Sequence, residues 1–166
     1  MANNYDIYIY FIAKKMKIKR RWARELTLKI LYASDITNQI ETEDSLEELS
    51  WSEDKKVSKS VSIYAQKLVQ GIRENASSID KVISKYSKNW KISRQSVIDR
   101  NILRMAVYEL IYCLDIPNIV VIDEAIELSK KYSDKDSPSF INGVLDAIRK
   151  DYNGCTLGET SKLSNM

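Results

Sequence analysis

Basic side chains crowd one short segment near the amino terminus of the chain. Arg20, Arg21 and Arg24 lie within little more than one helical turn, and Lys17 and Lys19 come just before them. A guanidinium group offers a planar fork of donors that matches a phosphate, and it also stacks on exposed bases. This segment therefore has the chemistry to bind single-stranded RNA. The residues alone support an equal alternative, in which exposed cations pair with acidic side chains of the same chain.

Acidic residues are concentrated in a second segment, between Glu41 and Asp54, which contains no basic residue. The whole chain has 166 residues and a formal net charge of only +3. The uneven distribution of charge is therefore more informative than the total. Such asymmetry is a hint of polyanion binding at the basic end, although charge runs more often belong to solvated faces.

Residue types needed for catalysis are missing or badly spaced. The chain has no histidine, which is the commonest general base and metal ligand at neutral pH. Its four glycines do not form a phosphate-binding loop. Cys113 and Cys155 lack a metal or redox spacing, and a chain without a disulfide framework fits a reducing cytosol. A solvated helix face explains Asp123, Glu124 and Glu127 better than a metal site does. We expect no catalytic residue, no metal site and no cofactor.

The first residues do not have the order of an export signal. The apolar, aromatic run from Tyr5 to Ile12 precedes Lys14 and Lys15, whereas a signal peptide carries its charges first. We interpret the run as strand-prone. Residues 1–16 are interpreted as an N-terminal extension, which a natural start at Met16 would explain. No run is long enough to span a bilayer, so we expect a cytoplasmic protein without membrane contact.

Apolar residues recur at helical spacing along most of the chain. The first helix is predicted from about Lys19 to Asp35, which places Arg20 and Arg21 in a first turn where the helix dipole disfavours cations. Trp22 lies at helical spacing with the apolar residues of this helix, such as Leu26, which slightly favours burial of its side chain. Further helices are predicted over 57–72, 79–86, 93–113, 120–132 and 137–150.

Capping residues, proline and glycine separate or interrupt these helical patterns. Ser93 is the predicted cap of the fourth helix, and Ser137 caps the last one ahead of Pro138. Gly71 and Gly143 mark expected close packing between helices. Residues 37–56 are interpreted as a connector, with a short helix at 46–49, and residues 151–166 as a flexible tail. The predicted fold class is all-α: a single-domain bundle of about six or seven helices over residues 17–150.

Several separated segments resemble one known family. They are RRWARE (20–25), DRNILRMAVYEL (99–110), DIPNIVVIDEAIELSKKY (115–132) and DSPSFINGVL (136–145). Together they resemble the NusB family of bacterial transcription antitermination factors, over roughly Lys17 to Lys150. The resemblance implies an RNA-binding helical protein without catalytic activity.

The resemblance also implies which residues bind RNA. In NusB-like proteins an arginine-rich N-terminal segment binds boxA RNA, and a loop before the last helix lies against the same RNA. The corresponding residues are Lys17, Arg20, Arg21, Arg24, Tyr132, Asp136 and Phe140. Trp22 stands where many relatives have a basic residue, and it could stack on a base instead. For Phe140 core packing is nearly as good an interpretation, and for Asp136 the alternative is a capping or turn contact.

The family further implies partners. Its members pair with ribosomal protein S10 (NusE), and the resemblance places Tyr32 and Asp99 at that partner surface. The pair supports RNA polymerase in an antitermination complex on ribosomal RNA operons. Relatives occur as monomers and homodimers, so both states stay open. Two alternative functions are the RNA-binding part of a ribosomal RNA methyltransferase system and a helical protein-interaction module that uses the acidic connector.

Overall fold

A computed structural model describes residues 4–37, 58–87 and 96–154, with side chains from Lys15 in the first range and to Tyr152 in the last. These ranges contain only helices as regular elements, which confirms the predicted all-α class. The helices are α1 (Asn4–Thr37), α2 (Lys59–Glu74), α3 (Ala76–Tyr86), α4 (Val97–Tyr112), α5 (Asn118–Tyr132) and α6 (Ser137–Gly154). None of them is long and apolar enough to cross a bilayer.

The chain divides into two compact units, Met1–Glu74 and Asn75–Met166. The first unit contains α1 and α2, and the second contains α3 to α6. Each unit has its own packing of helices. The single domain expected over residues 17–150 stays a prediction. The acidic connector and its short helix lie outside the described residues.

The first unit is held together by the apolar faces of α1 and α2, which pack on each other. Ala23 of α1 is buried with Val61 and Ala65 of α2, and Leu26 and Tyr64 pack against this cluster. These positions recur at three- and four-residue spacing, so each helix buries one continuous face. Burying a side chain as large as valine contributes roughly 1.5 to 3 kcal/mol.

Helix α1 is much longer than its predicted span. It begins at Asn4 and ends at Thr37, so the strand-prone interpretation of Tyr5 to Ile12 is wrong. The run lies in a sequence without glycine or proline, and a helix satisfies its own backbone hydrogen bonds where an isolated strand would not. Arg20 and Arg21 are therefore in the middle of α1, and the dipole argument about a first turn does not apply to them.

The second unit is built around α4, which packs against α3, α5 and α6. Residues Ile102, Leu103, Met105, Ala106 and Val107 are all at most 2% exposed, and they occupy a little over half of the circumference of the helix. From Asn101 to Leu110 every residue except Arg104 is buried, and a helix buried over most of its surface belongs in a core. This explains why its apolar pattern in the sequence is nearly continuous.

One ion pair joins α3 to α4. The Arg104 guanidinium donates from Nε to Asp80 Oδ1 and from Nη2 to Asp80 Oδ2, both at 2.8 Å. The side chains are 19 and 29% exposed. A bidentate pair with this little exposure is stronger and more directional than a surface pair.

A second polar contact joins α3 to the end of α6. Tyr86 Oη donates a hydrogen bond to Asp151 Oδ2 at 2.5 Å, and Lys85 Nζ lies 3.5 Å from the same oxygen. The hydrogen bond from Tyr86, and then the charge of Lys85, lower the pKa of Asp151 below 3.8. Since α6 continues to Gly154, its end lies beyond the predicted boundary at Lys150.

Helix caps differ in detail from the sequence prediction. Ser96 caps α4, its Oγ accepting from the Asp99 backbone N–H at 3.0 Å, while the predicted cap Ser93 lies outside the described residues. At the start of α6 the Phe140 N–H donates to the carbonyl of Asp136 at 3.3 Å, so Asp136 takes the cap position predicted for Ser137.

The two glycines predicted to mark close packing behave differently. Gly71 is buried in α2. Gly143 is exposed on α6, and a Cβ added there would meet no atom within 4 Å. The prediction is therefore wrong for Gly143, because a small residue in an apolar pattern does not reveal which side of the helix it occupies.

Candidate nucleic-acid interface

The basic cluster of the first unit lies on successive turns of α1. Lys15 and Lys17 are exposed, and Arg20 and Arg21 are half-buried. The Arg20 guanidinium carbon lies 5.5 Å from the centre of the Tyr64 ring on α2. A cation over an aromatic face is attracted by the ring, so Tyr64 holds Arg20 in a defined orientation. These side chains can offer several donors to a phosphate backbone.

Arg24 is different from its neighbours, because only 2% of it is exposed. It is engaged in contacts within the protein. A guanidinium at this depth does not present its donors to a ligand in solution. An RNA contact by Arg24 stays a prediction, and the geometry favours a role inside the fold.

Trp22 is 45% exposed, so its predicted burial is wrong. The adjacent Ala23 is fully buried, which turns the preceding side chain away from the core. An exposed indole between Arg21 and Ala23 offers a flat surface on which a base can stack. An exposed aromatic face thus stands at a position where the family resemblance had indicated a basic residue.

In the second unit, three predicted residues surround the short loop between α5 and α6. Tyr132 ends α5 and is half-buried, Asp136 is exposed in the loop, and Phe140 is half-buried in the first turn of α6. The Lys131 ammonium lies 4.9 Å from the centre of the Tyr132 ring. Lys135 is exposed in the same loop. Aromatic faces, cations and the carboxylates of Asp134 and Asp136 are therefore presented together.

Lys131 and Lys135 are residues that the sequence reasoning missed. Their signal was present in the string KKYSDKDSPSF, where basic residues alternate with the predicted contacts. At the carboxyl end of α5 a cation is also favoured by the helix dipole, which gives Lys131 a structural reason to be there.

The two residues assigned to a partner surface have opposite environments. Tyr32 is 43% exposed, as a surface contact requires, whereas Asp99 is only 9% exposed. Asp99 Oδ2 accepts a hydrogen bond from Ser137 Oγ at 2.9 Å, while its Oδ1 has no hydrogen-bond partner within the described part of the chain. Asp99 thus fixes the start of α6, next to the loop residue Asp136.

No group of three or more acidic or cysteine side chains in the described ranges is arranged to hold a metal ion. The described surface offers donors, cations and aromatic faces instead. These groups can bind a polyanion through hydrogen bonds, charge attraction and stacking.

The model of the NusB family matches residues 21–150 of this chain. The chain belongs to the NusB family. It is 47% identical to the transcription antitermination protein NusB of Trichlorobacter lovleyi over 129 residues, 78% of this chain and 89% of that protein. It is 39% identical to the NusB of Thermodesulfovibrio yellowstonii over 141 residues, 81% of this chain and 93% of that one. The sequence resemblance noted above is therefore confirmed.

Solved NusB structures share the fold. The T. maritima NusB structure is similar with a TM-score of 0.72 and 37% identity, covering 89% of this chain and 97% of that chain. A structure of the antitermination factors NusB and NusE in complex with double-stranded RNA matches with a TM-score of 0.70 and 33% identity, covering 81% of this chain and 98% of that chain.

Proposed function

We propose that this protein is a transcription antitermination factor without catalytic activity, which binds boxA RNA together with ribosomal protein S10 (NusE). It acts in the cytoplasm, where the complex assists RNA polymerase on ribosomal RNA operons. The observation that carries this proposal is the exposed basic segment of α1 in a NusB-family chain, since a related structure contains NusB, NusE and RNA together.

The N-terminal contact consists of Lys17, Arg20 and Arg21, with Trp22 beside them. The cations bind phosphate groups and release condensed counterions, which supplies affinity that falls with salt. The indole of Trp22 supplies a stacking surface, worth about 1 to 3 kcal/mol for a base. Because Arg24 is buried, it supports this segment from inside.

The loop between α5 and α6 provides sequence preference in the proposal. Tyr132 and Phe140 offer partly exposed rings, and the Asp136 carboxylate can accept a hydrogen bond from a base amino group. Carboxylates repel phosphate, and Lys131 and Lys135 offset the charges of Asp136 and the neighbouring Asp134. Tyr32 is the proposed S10 contact because it is exposed, and Asp99 acts by holding Ser137.

The direct test is titration of boxA RNA, with and without S10, against the wild type and an Arg20→Ala/Arg21→Ala variant at several salt concentrations. We expect weaker binding and a log–log salt slope that is shallower by about 1.4, since each phosphate contact on a single strand contributes about 0.7.

A matched control removes the same charge elsewhere in the first unit. Lys59 and Lys67 are exposed on α2, so Lys59→Ala/Lys67→Ala keeps the net charge of the test variant but leaves the cluster intact. We expect this control to keep the wild-type salt slope. Equal slopes for all three proteins would refute the proposed RNA contact.

A further inference from the structure

In the described part of the second unit, the large apolar side chains that are exposed all lie where α4 passes into α5. Tyr112 ends α4 and is 45% exposed, Leu114 lies in the connecting turn and is 77% exposed, and Ile119 in the first turn of α5 is 59% exposed. Single exposed apolar residues need no explanation, but several in so short a segment mark an interaction surface. We call these three residues the turn patch.

The turn between the two helices places a leucine where a polar residue is usual. The Ile116 N–H donates to the Cys113 carbonyl at 3.0 Å, which closes a turn with Leu114 and Asp115 at its centre. Such central positions favour glycine, proline, asparagine, aspartate and serine, because these residues suit the backbone of a turn. Leucine has no such advantage, and in this position it gains little from burial. Its apolar surface is therefore available to a partner.

Tyr112 is supported by a second ring beneath it. The centres of the Tyr112 and Tyr108 rings are 5.1 Å apart, and the ring planes are inclined by 28°. Tyr108 is only 8% exposed, so a buried ring holds an exposed one in place. A side chain that is already fixed loses little conformational entropy on binding, and this makes Tyr112 a good anchor for an interface.

The charges beside the turn patch are negative. No lysine or arginine occurs from Met105 to Ser129. Asp115, next to Leu114, is exposed, and so is Asp123, which lies one turn after Ile119 on the same face of α5. A phosphate backbone would be repelled at this surface, whereas a cationic partner would be attracted. The charge therefore specifies the kind of molecule that fits the patch.

The turn patch lies at the opposite end of α4 from the loop assigned to RNA. The hydrogen bond of 2.9 Å from Ser137 Oγ to Asp99 Oδ2 joins the beginning of α6 to the beginning of α4. From Asp99 to Tyr112 the helix rises by about 20 Å. A partner on the turn patch therefore leaves the loop between α5 and α6 uncovered.

We propose that the turn patch binds a cationic amphipathic segment of a protein other than S10. Apolar side chains of that segment cover Tyr112, Leu114 and Ile119, and lysine or arginine side chains beside them pair with Asp115 and Asp123. This inference goes beyond the proposed function, because it adds a protein partner to the RNA and S10 contacts.

A synthetic helical peptide with leucines on one face and lysines on the other is the probe. Fluorescence anisotropy of the labelled peptide, titrated with the full-length chain without RNA or S10, gives the dissociation constant. Two control peptides replace every lysine by glutamate or every leucine by alanine. We expect the leucine–lysine peptide to bind about tenfold or more tightly than either control, because both apolar contact and positive charge are required.

Two isoleucines with nearly the same exposure provide the matched apolar test. Ile119 in the turn patch is 59% exposed, and Ile63 on α2 is 56% exposed. Ile119→Ser should weaken peptide binding about fivefold or more, whereas Ile63→Ser should leave the dissociation constant unchanged. Circular dichroism checks that both variants stay helical.

Two exposed carboxylates provide the matched charge test. Asp123 lies beside the turn patch, and Glu74 ends α2. Asp123→Lys should weaken binding about threefold or more, as expected for an exposed ion pair replaced by a like-charge contact, and Glu74→Lys should have no effect. The two variants carry the same net charge, so the comparison separates a local contact from general attraction.

Three outcomes overturn the proposal. In the first, the glutamate peptide binds as tightly as the lysine peptide. In the second, the peptide binds equally well to the wild type and to the Ile119→Ser and Asp123→Lys variants, so its site is elsewhere. In the third, Ile119→Ser weakens S10 binding, which makes the patch a surface for S10. Since RNA is absent from all these measurements, their failure is distinct from failure of the proposed RNA function.

Discussion

Neighbouring arginines of one cluster have different environments in this protein. Arg20 and Arg21 are half-buried, while Arg24 is 2% exposed. The sequence identified all three as one basic group, since composition and spacing count charges without their direction. Moving three residues along a helix, from position 21 to position 24, turns the side chain by about 300°, which equals about 60° in the opposite sense. In this helix a rotation of that size separates a surface position from a core position.

The first prediction separates stability from RNA binding at Arg24. Arg24→Ala should lower the free energy of unfolding by roughly 2 kcal/mol or more, because it removes a large buried side chain and leaves a cavity. Urea unfolding measures this change, and RNA titration of the folded variant measures affinity. A variant with wild-type stability but weaker RNA binding would show that Arg24 contacts RNA directly.

The second prediction concerns Gly143, whose missing side chain faces open space. Gly143→Ala should raise the free energy of unfolding by about 0.5 to 1 kcal/mol, because alanine loses less backbone entropy in a helix. Thermal and urea unfolding provide the measurement. Gly71→Ala is the contrast, since its added methyl group must fit a buried site and should not stabilise the protein. A loss of stability from Gly143→Ala would contradict the open environment.

At the level of helices, the sequence predicted which segments are helical better than it predicted where each helix begins and ends. Apolar periodicity located the described parts of α2 to α6 within a few residues, because each buries a face. It failed for the beginning of α1, where the run from Tyr5 to Ile12 has β-branched and aromatic residues without a clear helical stripe. Local propensity there was overridden by the continuous helix that follows.

The third prediction concerns the ion pair between α3 and α4. Arg104→Ala and Asp80→Ala should each lower the free energy of unfolding by about 1 to 3 kcal/mol, between the values typical of exposed and buried pairs. A double-mutant cycle in urea isolates the coupling. Arg104→Lys should recover only part of the stability, because lysine cannot form the bidentate contact.

A more exposed pair is the natural comparison for Arg104 and Asp80. Lys130 and Glu127 are 2.8 Å apart on α5, with side chains 58 and 51% exposed. Their coupling should be about 0.5 kcal/mol or less, owing to solvent screening. Equal coupling energies for the two pairs would show that burial and bidentate geometry do not determine the strength of these ion pairs.

For the whole molecule, sequence patterns predicted the class of fold but not its division into two units. Periodicity shows which face of a helix is buried, yet it does not show which other helix covers that face. The same limit applies to the candidate site. Residue chemistry and family resemblance selected Arg20, Tyr132 and Asp136, whereas burial of Arg24 and Asp99 and exposure of Trp22 required three-dimensional packing.

The fourth prediction is a loss of stability in acid. Hydrogen bonds from Lys150 and then Arg149 lower the pKa of Asp146 below 3.8, and Tyr86 and then Lys85 do the same for Asp151. A carboxyl group with a lowered folded-state pKa stabilises the protein above its unfolded-state pKa. That contribution is lost as the pH falls from about 4 through the folded-state pKa.

Urea midpoints measured between neutral pH and about pH 2.5 test this acid dependence. Asp151→Asn should flatten the curve below about pH 4, and Tyr86→Phe should do so in part because it removes the hydrogen bond to Asp151. A variant whose acid limb coincides with that of the wild type would argue against Asp151 as a contributor.

The burial of Cys113 gives the second unit a chemical reporter of its own opening. The Cys113 thiol is 1% exposed where α4 ends, so a modifying reagent reaches it only when the surrounding helices separate. In a Cys155→Ser variant, the rate at which Cys113 is alkylated would therefore report how often that core opens, at neutral pH and without any denaturant. Slower labelling after RNA or S10 is added would then show that the ligand restrains motions far beneath the surface it touches.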